Sequence, residues 1–108
     1  MRVVALIDSG SMTTVFNFDY AQALKIDVED GILLPQKGIK GEETPLWYHE
    51  LTLSVNDWEY DCYVGFNNNN TLPVDGLLGY SGFFDRFEVR LRDDKTKGIA
   101  IRKLKGRW

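Results

Sequence analysis

Residues 46 to 66 carry the pattern that most limits the fold. "LWYHELTLSV" and "WEYDCYVGF" flank Asn56-Asp57. In the first run Trp47, His49, Leu51 and Leu53 fall on one side, with Tyr48, Glu50, Thr52 and Ser54 on the other. In the second, Trp58, Tyr60, Cys62, Val64 and Phe66 share a face. A period of two belongs to a strand and not to a helix. Two such runs around a short polar turn predict a long β-hairpin.

The flanking sequence adds further short strands. Val3 to Ile7 is a continuous apolar run rich in β-branched residues, which suits a strand buried on both faces. Ser9, Gly10 and Ser11 break it, and Thr13 to Phe16 is β-prone again, so Asp8 sits in a turn between two strands. "NFDYAQALKID" predicts one short helix that Asn17 or Asp19 caps. Ile32 to Leu34 reads as a brief strand ended by Pro35, and "PQKGIKGEETP" as a mobile loop or hairpin tip. Asn67 to Asn70 is a loop, "LPVDGLLGYSGFF" sets an apolar pair between glycines, and "FEVRLRDDKTKGIAIRK" predicts two strands around a polar turn, Asp93 to Gly98. The expected total is about seven or eight strands and one or two short helices, a mostly β chain whose sheet is closed or nearly so.

A length of 108 residues fits one domain over 1–108. The net charge of −3 argues against a nucleic-acid partner, and the basic end "IRKLKGRW" reads as a solvated tail. Cys62 is the sole cysteine, which excludes an internal disulfide and points to a reducing compartment. No apolar stretch approaches the ~20 residues of a membrane span. Asp8 interrupts the apolar run that a signal peptide would need, so a cytoplasmic location is expected.

Asp8-Ser9-Gly10 has two readings. In the plain one, Asp8 makes an Asx turn by accepting a backbone N–H two residues on, and Gly10 supplies the turn's backbone freedom. The other comes from context. "ALIDSG", then "KGIKG", then "DGLLG" stand in an order that resembles the retropepsin-like aspartic proteases: an acid on a turn, a flap with glycines at its tip, and an apolar-apolar-glycine segment beneath the acid. "DSGSMTTVF" followed by a helix, and "LLGYSGFFDRFEV", are similar to small bacterial members of that group. The resemblance runs from Ala5 to about Lys103.

The resemblance implies a single-lobe acid-protease fold, a closed β-barrel with a flap hairpin. It implies that Asp8 is the catalytic acid, that Ser9 ties two facing turns together, and that Gly10 aims its N–H at the carboxylate. Leu77, Leu78 and Gly79 support the turn. Gly38, Ile39, Lys40 and Gly41 form the flap over bound substrate, although Lys40 departs from the usual glycine-rich tip. One chain holds one such acid, so activity needs a homodimer. The implied partner is a peptide or protein substrate, with no cofactor, metal, nucleic acid or membrane.

The family carries a strand before the one that leads to the acid. Here Met1 stands seven residues before Asp8, so that strand is expected to be missing: the chain is a fragment, starts late or closes its sheet differently, and another strand, for which Gly98 to Lys103 is the candidate, is expected to cover the edge. This departure keeps two rivals open: a catalytically inactive binding or dimerisation module of the same fold, and an unrelated β-barrel adaptor with Asp8 on an exposed turn. His49, the one histidine, reads as packed and not as a ligand. Cys62 reads as a buried inert thiol. Trp47, Tyr48 and Trp58 read as hairpin packing, with Trp47 or Tyr48 able to line a cleft below the flap. Asp75 reads as a turn residue.

Overall fold

The alternation after Leu46 becomes the spine of a six-stranded sheet. The computed structural model describes residues 1–37, 43–69, 72–93 and 98–106. Its strands are β1 (Ala5–Ile7), β2 (Thr14–Phe16), β3 (Ile32–Lys37), β4 (Glu43–Val55), β5 (Trp58–Phe66), β6 (Gly76–Leu78), β7 (Phe87–Asp93) and β8 (Gly98–Lys103). Helix α1 spans Phe18–Ala23, and a 3-10 turn spans Val28–Asp30. The fold is mostly β. The larger sheet has the order β1-β6-β2-β5-β4-β3, and β7 and β8 form a separate hairpin.

The β4–β5 hairpin forms as the alternation predicts. Its register runs from Trp47↔Phe66 to Val55↔Trp58. Asn56 and Asp57 take φ of 49° and 66°, the left-handed pair that matches the twist of a two-residue hairpin. Asn and Asp tolerate that region better than other side chains.

A closed barrel is not what forms. Among the described residues neither sheet closes on itself: β1 and β3 are the two ends of the larger sheet, and β8 pairs with β7 and not with β1. The reason lies in the pattern of the last hairpin. Phe87, Val89 and Ile101 alternate onto one face and pack that face against the main core, so the hairpin meets the sheet face-on and not edge-on. Pro35 also does not end β3. It stands opposite Pro45 in the β3–β4 ladder, where neither missing N–H is needed, and β3 is an outer strand.

The sheet has two faces with different tasks. Phe16, Cys62, Val64 and Phe66 point to the main core, together with Ala21, Val28, Phe83 and Phe87. Phe83 and Phe87 lie with ring centroids 5.2 Å apart, and Phe87 stacks on Trp58 at 5.8 Å. On the opposite face Val15, Leu46 and Tyr48 form a smaller cluster against Leu72. Tyr48 is therefore buried and packed, although it shares its side of β4 with Glu50 and Thr52.

Asn17 takes the N-cap position of α1, but its side chain makes no capping bond. It turns instead to the segment before β6. Nδ2 donates to the carbonyls of Leu72 (3.2 Å) and Val74 (2.7 Å), and Oδ1 accepts from Leu72 N (3.1 Å). One amide thus anchors the approach to β6 across 55 residues of sequence. Asn17→Ala should lower unfolding stability in urea by about 2 kcal/mol, because several backbone groups lose their partner at once. Asn17→Ser, an equally good cap, should not restore it, since the hydroxyl is too short to reach Val74.

Candidate functional site

The turn at Asp8 is built by its own acid. Asp8 follows β1, and its N–H extends the β1–β6 ladder by donating to Leu78 O at 3.0 Å. Gly10 N donates to Asp8 Oδ1 at 2.9 Å, and Ser11 N donates to Asp8 O at 3.1 Å. This is the Asx turn expected from the triplet. Asp8 is half-buried, while Ser9 and Gly10 are exposed. The turn therefore holds one carboxylate oxygen in place and presents a hydroxyl beside it.

Below the turn, β6 runs between β1 and β2. It pairs parallel with β1 (Leu6↔Leu77) and antiparallel with β2 (Val15↔Leu77). The chain leaving β6 then passes against the segment that follows the acid. Tyr80 N donates to Ser11 O at 2.9 Å, and Ser81 N to Met12 O at 3.0 Å. The approach is so close that a Cβ at Gly79 would lie 2.2 Å from Thr13 O and 2.6 Å from Ser11 O. Both obstacles are backbone atoms and cannot swing aside. Leu77, Leu78 and Gly79 thus lie beneath the Asp8 turn.

Thr14 closes this junction. Its fully buried hydroxyl donates to Ser81 O at 2.9 Å and accepts from Gly79 N at 3.3 Å. Ser11 Oγ donates to Thr13 O at 2.7 Å. Sequence reasoning did not single out Thr13 or Thr14. The signal was present as two adjacent Thr in a β-prone run, because alternation sends one to each face of the sheet.

The registers join into one cross-strand row: Leu6–Leu77–Val15–Gly65–Tyr48–Ile32. This row lies on the face opposite the main core. By strand alternation Asp8 stands one step along β1 from Leu6 on that same face. Tyr48 crosses to the acid's end of the sheet, where its hydroxyl bonds Thr13 Oγ1 at 2.7 Å. Gly65 makes room for it, since a Cβ there would meet the Tyr48 ring at 2.9 Å. Beside Tyr48 lies a groove of about 230 Å³ lined by Thr13, Ile32, Leu34, Tyr48, Tyr63 and Ser81. A larger cleft of about 490 Å³ sits on the core side, against Ile7, Leu53, Leu78 and Ile101, and among the described residues no carboxylate lines it.

β3 and β4 form the stem of a hairpin as far as Lys37↔Glu43. Gly38, Ile39, Lys40 and Gly41, the residues expected to form the flap tip, lie outside the described residues. His49 is packed: its Nε2 bonds Val28 O at 2.8 Å, and its ring meets Phe66 edge-on. Asp75 belongs to the turn before β6. Its carbonyl accepts from Asn17 N, and its side chain bonds the Tyr20 phenol, pushing that phenol's pKa up. Among the described residues no group of three His, Cys, Asp or Glu is placed to hold a metal ion, and no helix is long and apolar enough to cross a membrane.

Cys62 and Tyr60 lie on the core side, away from the acid. Burial pushes the Cys62 thiol up to about 11, and burial together with Cys62 raises the Tyr60 phenol, which Arg86 partly offsets. Tyr60 stays neutral and donates to Gly82 O at 2.7 Å. Comparison with protein-family models, curated proteins and solved structures finds no match.

Two outcomes follow from these placements. Gly79→Ala should destabilise the fold by about 3 kcal/mol or more, read from the urea midpoint, because the junction must open for one methyl. The raised Cys62 value adds stability that is intact below its ordinary 9 and is lost as pH climbs to about 11. Stability should therefore fall across that alkaline window, and less steeply in Cys62→Ala.

Proposed function

We propose that the chain is one half of a retropepsin-like aspartic endopeptidase, active as a homodimer. The observation that carries this reading is the junction at Gly79. An acid-bearing turn rests on an apolar-apolar-glycine segment so close to Ser11 and Thr13 that glycine alone fits. Such a mount holds Asp8 at a fixed height above the sheet, as a reacting group requires.

A two-fold axis near the turn brings a second Asp8 opposite the first. Two carboxyls about 3 Å apart cannot both ionise, so the pair shares one proton. The ionised member takes a proton from a water held between them. That water attacks the scissile carbonyl while the protonated member donates to its oxygen; collapse of the resulting diol breaks the C–N bond, and the leaving nitrogen takes the proton that the first carboxylate drew from the water. The exposed Ser9 hydroxyl is available to bond the opposite turn. The β3–β4 hairpin, whose stem stands beside Tyr48, provides the cover that excludes water.

Hydrolysis of unfolded casein by the wild type and by Asp8→Asn tests the reading. The substitution should reduce the rate by on the order of 1,000-fold or more, and a statine-type mimic should inhibit the wild type. Equal rates in both proteins would remove the peptidase assignment. Specific activity should also rise with protein concentration in step with dimer formation by sedimentation. A chain that stays monomeric at every concentration has one Asp8 and lacks the pair, which leaves a binding module of the same fold.

A further inference from the structure

We propose that the cleft of about 490 Å³ on the core side is a slot for one β-strand of a partner polypeptide, an extended segment with apolar side chains at every second residue. The inference stands apart from the peptidase reading and does not need it.

Two strand edges face this cleft. Among the described residues β1 pairs with β6 alone and stands at the end of the sheet. β4 pairs with β3 only as far as Ile32↔Tyr48, so beyond Tyr48 its outer edge has no neighbouring strand among the described residues. The cleft touches Thr52, Leu53, Ser54 and Val55 in succession. Side chains alternate between the two faces of a strand, so an unbroken run means that β4 meets the cleft edge-on.

The ladders show which backbone groups point into it. On β1, Asp8 N donates to Leu78 O, so Asp8 and Leu6 turn their backbone groups toward β6. Ala5 and Ile7, the alternate residues, turn N–H and C=O to the free edge. On β4, the Val55↔Trp58 pair closes the two-residue turn, and its backbones face each other. Val55 and Leu53 thus bond β5, while Ser54 and Thr52 turn N–H and C=O away from it. That explains why Ser54 and Thr52 line the cleft although their side chains belong to the sheet's other face. Each of these four residues offers one donor and one acceptor.

Such edges fix the class of occupant, because a row of alternating donors and acceptors is matched by another extended backbone. The floor between them is hydrocarbon: Phe16 and Phe83 are buried, and Leu53, Leu78 and Ile101 are half-buried. Every second side chain of an inserted strand rests on that floor, and the others face solvent. Direction is fixed as well. Through β6, β2 and β5 the pairings make β1 and β4 point the same way. A strand running against them is antiparallel to both, the more stable pairing on each side. The described strands of this chain all lie in one of its two sheets, so none remains to fill the slot, and a second copy has none to lend. The two edges are short, and a partner strand of about five residues spans them.

Fluorescence anisotropy of Asp8→Asn, a background that leaves the probe uncut, tests this with a labelled peptide, Lys-Val-Thr-Val-Thr-Val-Lys. The peptide should bind about 10-fold more tightly than the same sequence N-methylated at its Val residues, or with Asp in place of each Val. On binding, the amides of Ala5, Ile7, Thr52 and Ser54 should exchange about 10-fold more slowly with solvent. Two variants probe the slot from different sides. Ser54→Pro removes a donor that the β5 ladder does not use, and Ala5→Phe fills the slot with a ring. Circular dichroism checks that each folds, and each should weaken binding about 10-fold. No binding of the Val peptide, equal binding of its N-methylated form, or protection along one edge alone overturns the strand slot. Protection of the same four amides on raising the protein concentration without peptide makes a second copy the occupant and overturns the partner.

Discussion

Backbone meets backbone at Gly79, and much else in the molecule is arranged around that contact. β6 threads between β1 and β2, and its exit presses on the carbonyls of Ser11 and Thr13 with no space for a methyl group. Thr14 then satisfies the amide of Gly79 and the carbonyl of Ser81 with one buried hydroxyl. Without the second set of bonds the close approach would bury unpaired polar groups, which is far more costly than a cavity of the same size. The acid turn therefore inherits its rigidity from below.

The two faces of the large sheet divide the work. The core face is aromatic, with Phe66, Phe83 and Phe87 almost wholly buried and Tyr60 tied to Gly82. The opposite face carries fewer buried side chains and more that are half-exposed: Leu6, Tyr63, Ile32 and Leu34. It also carries Asp8, on the Leu6 side of the alternation. A sheet with one face packed and the other partly open is the ordinary antiparallel compromise. Here the open face is apolar across six strands and polar mainly at one end.

Local patterns were legible in the sequence, and long-range geometry was not. The β4–β5 hairpin followed from alternation and from Asn56-Asp57, whose backbone needs are local. The last hairpin and the helix after Asn17 were readable in the same way. The role of Asn17 itself was not, because its partners at Leu72 and Val74 lie 55 and 57 residues away. Alternation set Tyr48 beside Glu50 and Thr52, yet those two lie past the last β3–β4 pair at Ile32↔Tyr48, whereas Tyr48 packs with Val15, Leu46 and Leu72. A closed sheet was the wrong expectation because strand count alone does not say whether a hairpin adds by its edge or by its face. A supporting role for "DGLLG" under Asp8 was an expectation from resemblance and not from spacing. Nothing in the residues alone says that β6 passes between β1 and β2.

The threading of β6 also bears on how the chain comes to its native state. The hairpins β4–β5 and β7–β8 join neighbours in sequence and can form early, whereas Leu6 must find Leu77 across about two thirds of the chain. Closing so long a loop for three short strands comes with an entropy penalty that only the finished core can repay. Assembly of the acid's cradle is thus a late event in folding, and by the same token an early one in partial opening. Native-state hydrogen exchange would find the amides of Asp8 and Gly79 among the less protected of the buried bonds, so the part of the molecule with the tightest steric fit is also the part whose existence depends on all the others being in place.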